Sequence, residues 1–214
     1  MSVILGVNAY HGDASACVLV NGELIAAVEE ERFRRVKHWA GFPSASIEYC
    51  LREARASLAD VQILAINSDP RAARFQRAAF VLRHRPRASY ILQQLRKRMR
   101  RSGVADALIN ALPDQRFHGR VERVEHHVAH LASAYFLSPW QTAVAVSIDG
   151  FGDFASAAWG LAHFNRIRVD GRVFFPHSLG TFYETLTQYL GFPNYGDEYK
   201  VMCLAPYGLT TFLK

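Results

Sequence analysis

Two histidines four residues apart are the clearest candidates for metal chemistry in the sequence. His126 and His130 fall in a segment whose pattern predicts a helix, His126–Phe136, so their side chains share one face and can hold one ion. His127 points about 100° away from them and is not expected to join. It also replaces the Glu of the metallopeptidase motif H-E-x-x-H, which disfavours that class. The plainer interpretation of the pair is an ordinary helix with surface histidines.

A carboxylate that completes a three-ligand set follows the predicted strand Ala143–Ile148. Asp149 stands at the C-terminal end of this strand, and Gly150, Gly152 and Asp153 come after it. Two histidines and one aspartate form the facial set that binds Fe²⁺ and other divalent ions. The glycines allow backbone N–H groups to approach an anion. The alternative is a plain Asp-Gly turn, which such dipeptides commonly form.

A comparable loop, Tyr10–Ser15, follows the first predicted strand. Its residues His11, Gly12 and Asp13 could contact a phosphate or a carbonyl group, with His11 as the titratable side chain. The alternative here is an ordinary tight turn. The charged run Glu29–Phe33, by contrast, is typical of a solvated strand end.

The hydrophobic pattern predicts strands and helices in an order that repeats. Asn21–Gly22 predicts a type I′ hairpin. The order strand, Gly-Asp turn, strand, turn, strand, helix occurs twice, around Gly12–Asp13 and around Gly152–Asp153, and this predicts a duplicated α/β architecture with mixed sheets. The predicted strands cover residues 3–8, 14–20, 23–28, 61–67, 120–124, 143–148, 155–164 and 167–175. A first predicted helix begins at Pro43. Two further helical pieces fall within 71–101 and are separated at Pro86, and the last two predicted helices cover 126–136 and 181–190.

The composition is that of a folding globular protein. Of 214 residues, 50% are hydrophobic and 21% are charged, which disfavours disorder. Apolar runs are far shorter than the ~20 residues that a membrane helix needs, and the N-terminus does not resemble a signal peptide. Three scattered cysteines do not form a disulfide framework. We therefore expect a cytoplasmic protein without membrane partners.

The net charge of +6 is concentrated in one segment. Arg71–Arg101 holds eleven of the 25 basic residues and no acidic one. A nucleic-acid-binding module built on this segment is a competing hypothesis. The aromatic residues Phe75, Phe80 and Tyr90 fall together with aliphatic residues, and we expect them to face the core, which makes a nucleic-acid partner the less favoured interpretation.

The ordered motifs together resemble one family, the carbamoyltransferases of the nodulation and cephamycin/aminoglycoside type. The resemblance extends from residue 3 to residue 208, and no single motif is specific by itself. The matching segments are Ile4–Ala16, Val28–Phe33, Lys37–His38, His126–Tyr135, Asp149–Asp153 and Asp197–Gly208.

This resemblance implies a fold, a reaction and a site. The fold is the duplicated actin-like/hexokinase-like one, and the reaction uses ATP and carbamoyl phosphate, through a carbamoyl-adenylate, to carbamoylate a hydroxyl of a small acceptor. His126, His130 and Asp149 match the metal ligands, with Fe²⁺ as the expected ion, and His11 matches the active-site histidine. The residues expected to contact the nucleotide are Gly12, Asp13, Gly150, Gly152, Asp153 and Lys200.

The resemblance also implies a division of the chain. We expect a first actin-like subdomain at about 1–140, the start of a second at about 141–208, and a short tail at 209–214. Members of the family are usually more than twice as long, so we expect a missing C-terminal domain, apolar strand edges that need a partner, and a second polypeptide that completes the site. Cys203 stands where the family has Gly, and it would be strained if that position had a positive φ.

Other functions stay open at this point. A tRNA threonylcarbamoyl-transferase shares the fold and the histidine pair, although Glu29–Phe33 and Asp197–Gly208 fit the small-molecule group better. A sugar kinase or ATPase of the same fold does not need the histidine pair. The third alternative is a non-catalytic fragment or partner subunit.

Overall fold

The first half of the chain forms a five-stranded mixed sheet with the order β3-β2-β1-β4-β5. The computed structural model describes residues 1–87, 89, 92 and 103–208. An antiparallel meander comes first, and its second turn has Asn21 and Gly22 at positive φ, as a type I′ hairpin requires. Two further strands lie parallel to β1 on its other side. The strands are β1 (Val3–Asn8), β2 (Ser15–Val20), β3 (Glu23–Glu29), β4 (Val61–Ile66) and β5 (Arg120–Arg123).

The main hydrophobic core joins this sheet to two helices. Val3, Leu5 and Val7 alternate along β1 and are buried, and they share one core with Ile47 and Leu108 from two helices. The helices and 3₁₀ turn of this half are α1 (Glu31–Arg34), α2 (Ser44–Glu53), the 3₁₀ turn Leu58–Asp60, α3 (Arg74–His84) and α4 (Val104–Ala111).

The second half begins with a linking helix and a three-stranded antiparallel sheet. In this helix, α5 (His126–Tyr135), Leu131 packs against Ala145 and Ala158 of the sheet. The sheet has the order β6-β7-β8, and two helices and a 3₁₀ turn follow it. These elements are β6 (Thr142–Gly152), β7 (Ala155–His163), β8 (Arg166–Phe174), α6 (Leu179–Tyr189), α7 (Glu198–Leu204) and the 3₁₀ turn Ala205–Tyr207.

The expected duplication is present in the backbone. β6, β7 and β8 repeat the meander of β1, β2 and β3, and each copy turns through a Gly-Asp pair between its first two strands. Asp13 and Asp153 both adopt the left-handed conformation, with φ of 61° and 48°. The mixed α/β class and the internal repeat are therefore confirmed, with three strands of the second sheet within the described residues.

Two expectations are wrong, and the condition attached to a third is not met. Glu30 is not solvated but fully buried, because its carboxylate accepts hydrogen bonds from Ser46 at the start of α2. Phe75 does not face the core, since its residue surface is 73% exposed and no residue of α3 is buried. Cys203 lies inside α7 and is not among the positive-φ residues, so it carries no backbone strain.

Parts of the basic segment lie outside the described residues, including Tyr90 and the second predicted helical piece beyond residue 92. The same holds for the tail at 209–214. Across the part of the chain that the structure describes, no helix combines the length and the apolar character needed to cross a bilayer.

Candidate metal centre and adjoining cleft

Three side chains converge at the junction of α5 and β6. Nε2 of His126 lies 2.7 Å from Oδ2 of Asp149 and 3.0 Å from Nε2 of His130. The third edge, from Nε2 of His130 to Oδ2 of Asp149, measures 3.6 Å. These spacings suit atoms that bind one small ion at about 2.0–2.2 Å. His127 is fully buried, and its Nδ1 lies 2.9 Å from Ser147 Oγ, away from these three side chains.

Two carboxylates fix the start of the helix that carries His126. Glu125 precedes α5 and caps it, because its carboxylate accepts the backbone N–H groups of His127 and Val128. The carboxylate of Asp153 accepts the backbone N–H of His126 at 3.0 Å. The first turn of the helix, which carries one ligand, is therefore anchored from two sides.

Charge in the site favours a cation. Hydrogen bonds from His126 and then His130 hold the pKa of the Asp149 carboxyl well below its usual range, although burial acts in the opposite direction. Nδ1 of His126 is buried and has no hydrogen-bond partner among the described residues. The imidazole ring of His126 therefore makes its hydrogen bonds through Nε2. Two imidazoles and one carboxylate form a donor set that fits Fe²⁺, Zn²⁺ or Mn²⁺.

Gly152 makes room for one of these ligands. A Cβ atom placed on Gly152 would overlap the ring of His126, whereas one on Gly150 would meet nothing within 4 Å. Gly180 has a similar role, because a Cβ there would overlap the backbone of Asp149. Gly152, for which the motif predicted anion contact, therefore leaves the space that the His126 ring occupies.

A cleft of about 690 Å³ opens beside the three ligands. His11 lines it and stacks on His126, with ring centroids 5.5 Å apart and an interplanar angle of 24°. The structure thus brings most of the predicted site residues to one cleft. They are His11, Gly12, Asp13, His126, His130, Asp149 and Gly150.

The other three predicted residues are not among those that line the cleft. The carboxylate of Asp153 is turned inward and accepts hydrogen bonds from Ser68 Oγ and Asp69 N in the first half, besides that from His126. Gly152 packs under the His126 ring. Lys200 forms an ion pair with Asp197, and this contact raises the pKa of the Lys200 ammonium.

Two cleft residues were missed by the motif analysis. Nδ1 of His38 lies 2.7 Å from Oδ1 of Asp13, and the ring of Tyr195 meets that of His38 edge-on at 5.3 Å. Tyr195 also lies against Gly12, where a Cβ would overlap its hydroxyl. His38 belongs to the matching segment Lys37–His38, although no role was predicted for it. Tyr195 lies in the second half of the chain, and no local sequence pattern predicts its contact with the first half.

Comparison with known proteins decides the family. The family model described as "Carbamoyltransferase N-terminus" matches residues 3–212. The chain belongs to this carbamoyltransferase family. It is 35% identical over 97% of its length to the uncharacterized protein sll1178 of Synechocystis, and 35% identical over 94% of its length to the nodulation protein NolNO of Sinorhizobium fredii. The matches cover 35% and 28% of those two proteins, so this carbamoyltransferase-family chain spans about a third of their length.

Among solved structures, the carbamoyltransferase-family chain is similar to YeaZ from Pseudomonas aeruginosa. The TM-score is 0.45 at 19% sequence identity, and the match covers 82% of this chain and 68% of that one.

Proposed function

We propose that the chain provides the metal- and nucleotide-binding part of an O-carbamoyltransferase that acts on a hydroxyl of a small molecule. The observation that carries the proposal is the convergence of His126, His130 and Asp149 in a cleft that also contains His11. Family membership supplies the reaction class. The co-substrates are carbamoyl phosphate and ATP, which give a carbamoyl-adenylate.

His126, His130 and Asp149 would hold the divalent ion, which we take to be Fe²⁺. When bound, such an ion acts as a Lewis acid toward a carbonyl or phosphoryl oxygen. The chain's own part is to keep three donor atoms within 3.6 Å of one another before the ion arrives. Gly152 and Asp153 serve this purpose as positioning residues, because one leaves space for the His126 ring and the other binds its backbone N–H.

We assign proton transfer to His11. In the transfer step the acceptor oxygen attacks the carbamoyl carbon, the bond from that carbon to the adenylate phosphate oxygen breaks, and AMP leaves. The hydroxyl proton must pass to a base, and His11 lines the cleft next to His126. Gly12, Asp13 and Gly150 are assigned to the nucleotide, since they line the same cleft. Lys200 would contribute charge only after leaving Asp197.

The division of labour in the chain is part of the proposal. Two actin-like subdomains, at about 1–140 and 141–208, supply opposite walls of the cleft, and the remainder of the family's length supplies the rest of the enzyme. The three cysteines are unpaired, which suits a reducing cytoplasm.

Metal content tests the site directly. The chain is purified without oxygen and analysed by plasma mass spectrometry beside His130→Ala and a control, His163→Ala, whose histidine lies at the far end of β7. We expect nearly one divalent ion per chain in the parent and the control, and loss of at least nine-tenths of it in His130→Ala, roughly the effect of removing one of three ligands. A folded parent chain without metal would contradict the proposal.

Acceptor profiling tests the reaction. Metal-loaded protein receives ATP, ¹⁴C-carbamoyl phosphate and either hydroxylated small molecules or tRNA, with and without the part of the Synechocystis relative outside its matched region. We expect ATP-dependent label on a small-molecule hydroxyl, lost in His11→Gln. Label on tRNA alone would contradict the proposal in favour of the threonylcarbamoyl-transferase alternative.

A further inference from the structure

The helix α3 presents an apolar stripe to solvent. Phe75 and Leu82 are 73% and 78% exposed, and because they are seven positions apart, their side chains lie only about 20° from each other around the helix. Ala78 and Ala79 stand between them and are exposed as well. These four residues form the apolar stripe, which is continuous and uncovered in the part of the chain that the structure describes.

The opposite side of α3 attaches the helix to the second half of the chain. The ring of Phe80 meets those of Phe154 and Phe175, with centroids 5.9 Å and 4.9 Å apart. The guanidinium of Arg77 lies over the Phe154 ring, 5.3 Å from its centroid. Phe80 lies about 140° from Phe75 around the helix. These contacts therefore fix α3 with the apolar stripe facing outward.

Arginines border the apolar stripe. Arg74 and Arg83 lie on either side of Phe75, roughly 80–100° from it around the helix. Arg71 precedes α3 and Arg85 follows it, and all four arginines are exposed. Within the described residues, none of the four forms an ion pair with an acidic side chain. The basic segment as a whole contains no acidic residue, so the surface around the stripe is complementary to an anionic one.

We propose that α3 binds the surface of an anionic phospholipid bilayer. The apolar stripe enters the boundary between headgroups and acyl chains, and the bordering arginines contact the lipid phosphates. An apolar face bordered by basic side chains is typical of helices that lie in this boundary. The expected absence of membrane partners followed from the lack of a spanning segment, and a helix that lies on the surface does not need to span.

Two other occupants fit the surface less well. A nucleic acid would use the same arginines, but its phosphates offer nothing to the aliphatic side chain of Leu82. A second copy of α3 would cover the stripe, but it carries the same arginines, which repel their counterparts. An anionic bilayer satisfies both the apolar and the charged part of the surface.

Vesicle binding tests the proposal on the whole chain without any assay of activity. The chain is sedimented with phosphatidylcholine vesicles that contain either no anionic lipid or about one-third phosphatidylglycerol. We expect binding to the anionic vesicles alone, and we expect salt to weaken it. The double variant Arg74→Gln/Arg83→Gln should bind roughly tenfold more weakly or worse, because each arginine contributes attraction to the anionic surface. Phe75→Ser/Leu82→Ser should lose a similar factor, because it removes the apolar stripe.

Matched variants away from α3 serve as controls. Leu137→Ser changes a leucine just after α5 that is also 78% exposed, and Arg166→Gln removes an exposed charge from β8. Both should bind vesicles as the parent does, and circular dichroism verifies that all variants fold. Insertion is measured with Phe75→Trp, whose added fluorescence should be quenched by brominated acyl chains, whereas that of Leu137→Trp should not.

Several results would overturn the proposal. They are equal binding to both kinds of vesicle, parent-like binding of either α3 double variant, an unquenched Phe75→Trp, and no vesicle binding by the folded chain. Binding of duplex DNA or tRNA without binding of vesicles would assign the arginines to a nucleic acid instead. Self-association that is lost in Phe75→Ser/Leu82→Ser, again without vesicle binding, would assign the stripe to a second copy.

Discussion

The absence of a side chain at Gly152 determines where the ring of His126, a candidate metal ligand, can lie. Gly152 lies so close to the ring of His126 that a Cβ would overlap it, while a Cβ on Gly150, two residues earlier in β6, would meet nothing within 4 Å. Neither glycine is among the residues with positive φ, so the two positions differ in space and not in backbone conformation. This makes them a matched pair for testing the metal centre.

Gly152→Ala should therefore displace His126, and Gly150→Ala should not. We expect Gly152→Ala to lower metal affinity roughly tenfold and to cost about 1–3 kcal/mol of unfolding free energy, the usual range for overpacking. Equilibrium dialysis with Fe²⁺ or Zn²⁺ and urea denaturation measure the two effects. If both alanine variants bind metal equally well, the space that Gly152 leaves for the His126 ring does not affect metal binding.

Glu30 makes stability depend on pH. Burial by itself would raise the pKa of its carboxyl, but hydrogen bonds from Ser46, Arg34 and Ala45 lower it below the ordinary value. A group whose pKa is lower in the folded state stabilises the protein above its unfolded pKa of about 4.3, and this stabilisation is lost as pH falls through the folded pKa.

The substitution Glu30→Gln tests this account. It should cost about 2 kcal/mol at pH 7, because charged hydrogen bonds at the start of α2 become neutral ones. The difference from the parent should shrink as the pH falls below about 4. Glu48→Gln, at an exposed position of the same helix, should change stability little. If the parent and Glu30→Gln differ in unfolding free energy by the same amount at pH 7 and pH 3.5, the carboxylate of Glu30 is not the source of the pH dependence.

The placement of residues was predictable from the sequence where its cause is local. The spacing of His126 and His130 is a property of one helix, and Asp149 follows one strand, so their convergence was expected from the sequence. The burial of Glu30 was not, since its partner Ser46 belongs to another element. The contribution of Tyr195 to the cleft depends on tertiary structure in the same way.

At the scale of the elements, α5 begins with a side-chain cap. The Glu125 carboxylate accepts hydrogen bonds from the backbone N–H groups of His127 and Val128, and it also forms an ion pair with Arg172. Glu125→Ala should cost about 1–2 kcal/mol by urea denaturation and should loosen the first turn of α5, seen as faster amide exchange at 127–130. Glu122→Ala removes an exposed pair with Arg120 instead and should cost less than about 0.5 kcal/mol. Equal losses would contradict the capping role.

The strands were easier to predict than the short helices. β1 and β2 are nearly continuous apolar runs in the sequence, which predicts buried strands, and the alternation of buried and partly covered residues appears in the structure. α1 and α7 have four and seven residues, too few for a helical period to show. The sequence predicted that β6 ends at Ile148, but the strand continues to Gly152. The reason is that Gly152 still pairs with Ala155 across the hairpin.

At the scale of the molecule, one buried carboxylate joins the two halves. Asp153 accepts hydrogen bonds from Ser68 and Asp69 after β4 and from His126 at the start of α5. Asp153→Ala would leave three donors without acceptors and should cost about 3 kcal/mol or more. Asp170→Ala, which removes an exposed pair with Arg168, is the control. A loss by urea denaturation no greater than that of the control would show that Asp153 does not join the halves.

The same carboxylate makes one contact between the halves harder to break than another. The Asp153 carboxylate is buried and accepts hydrogen bonds from Asp69 and His126, whereas the Tyr195 ring meets His38 edge-on and lies against Gly12. Hydrogen bonds to a buried carboxylate are the harder of the two to break. If the two halves move apart, we therefore expect the Tyr195–His38 contact to separate before the contacts of Asp153 do.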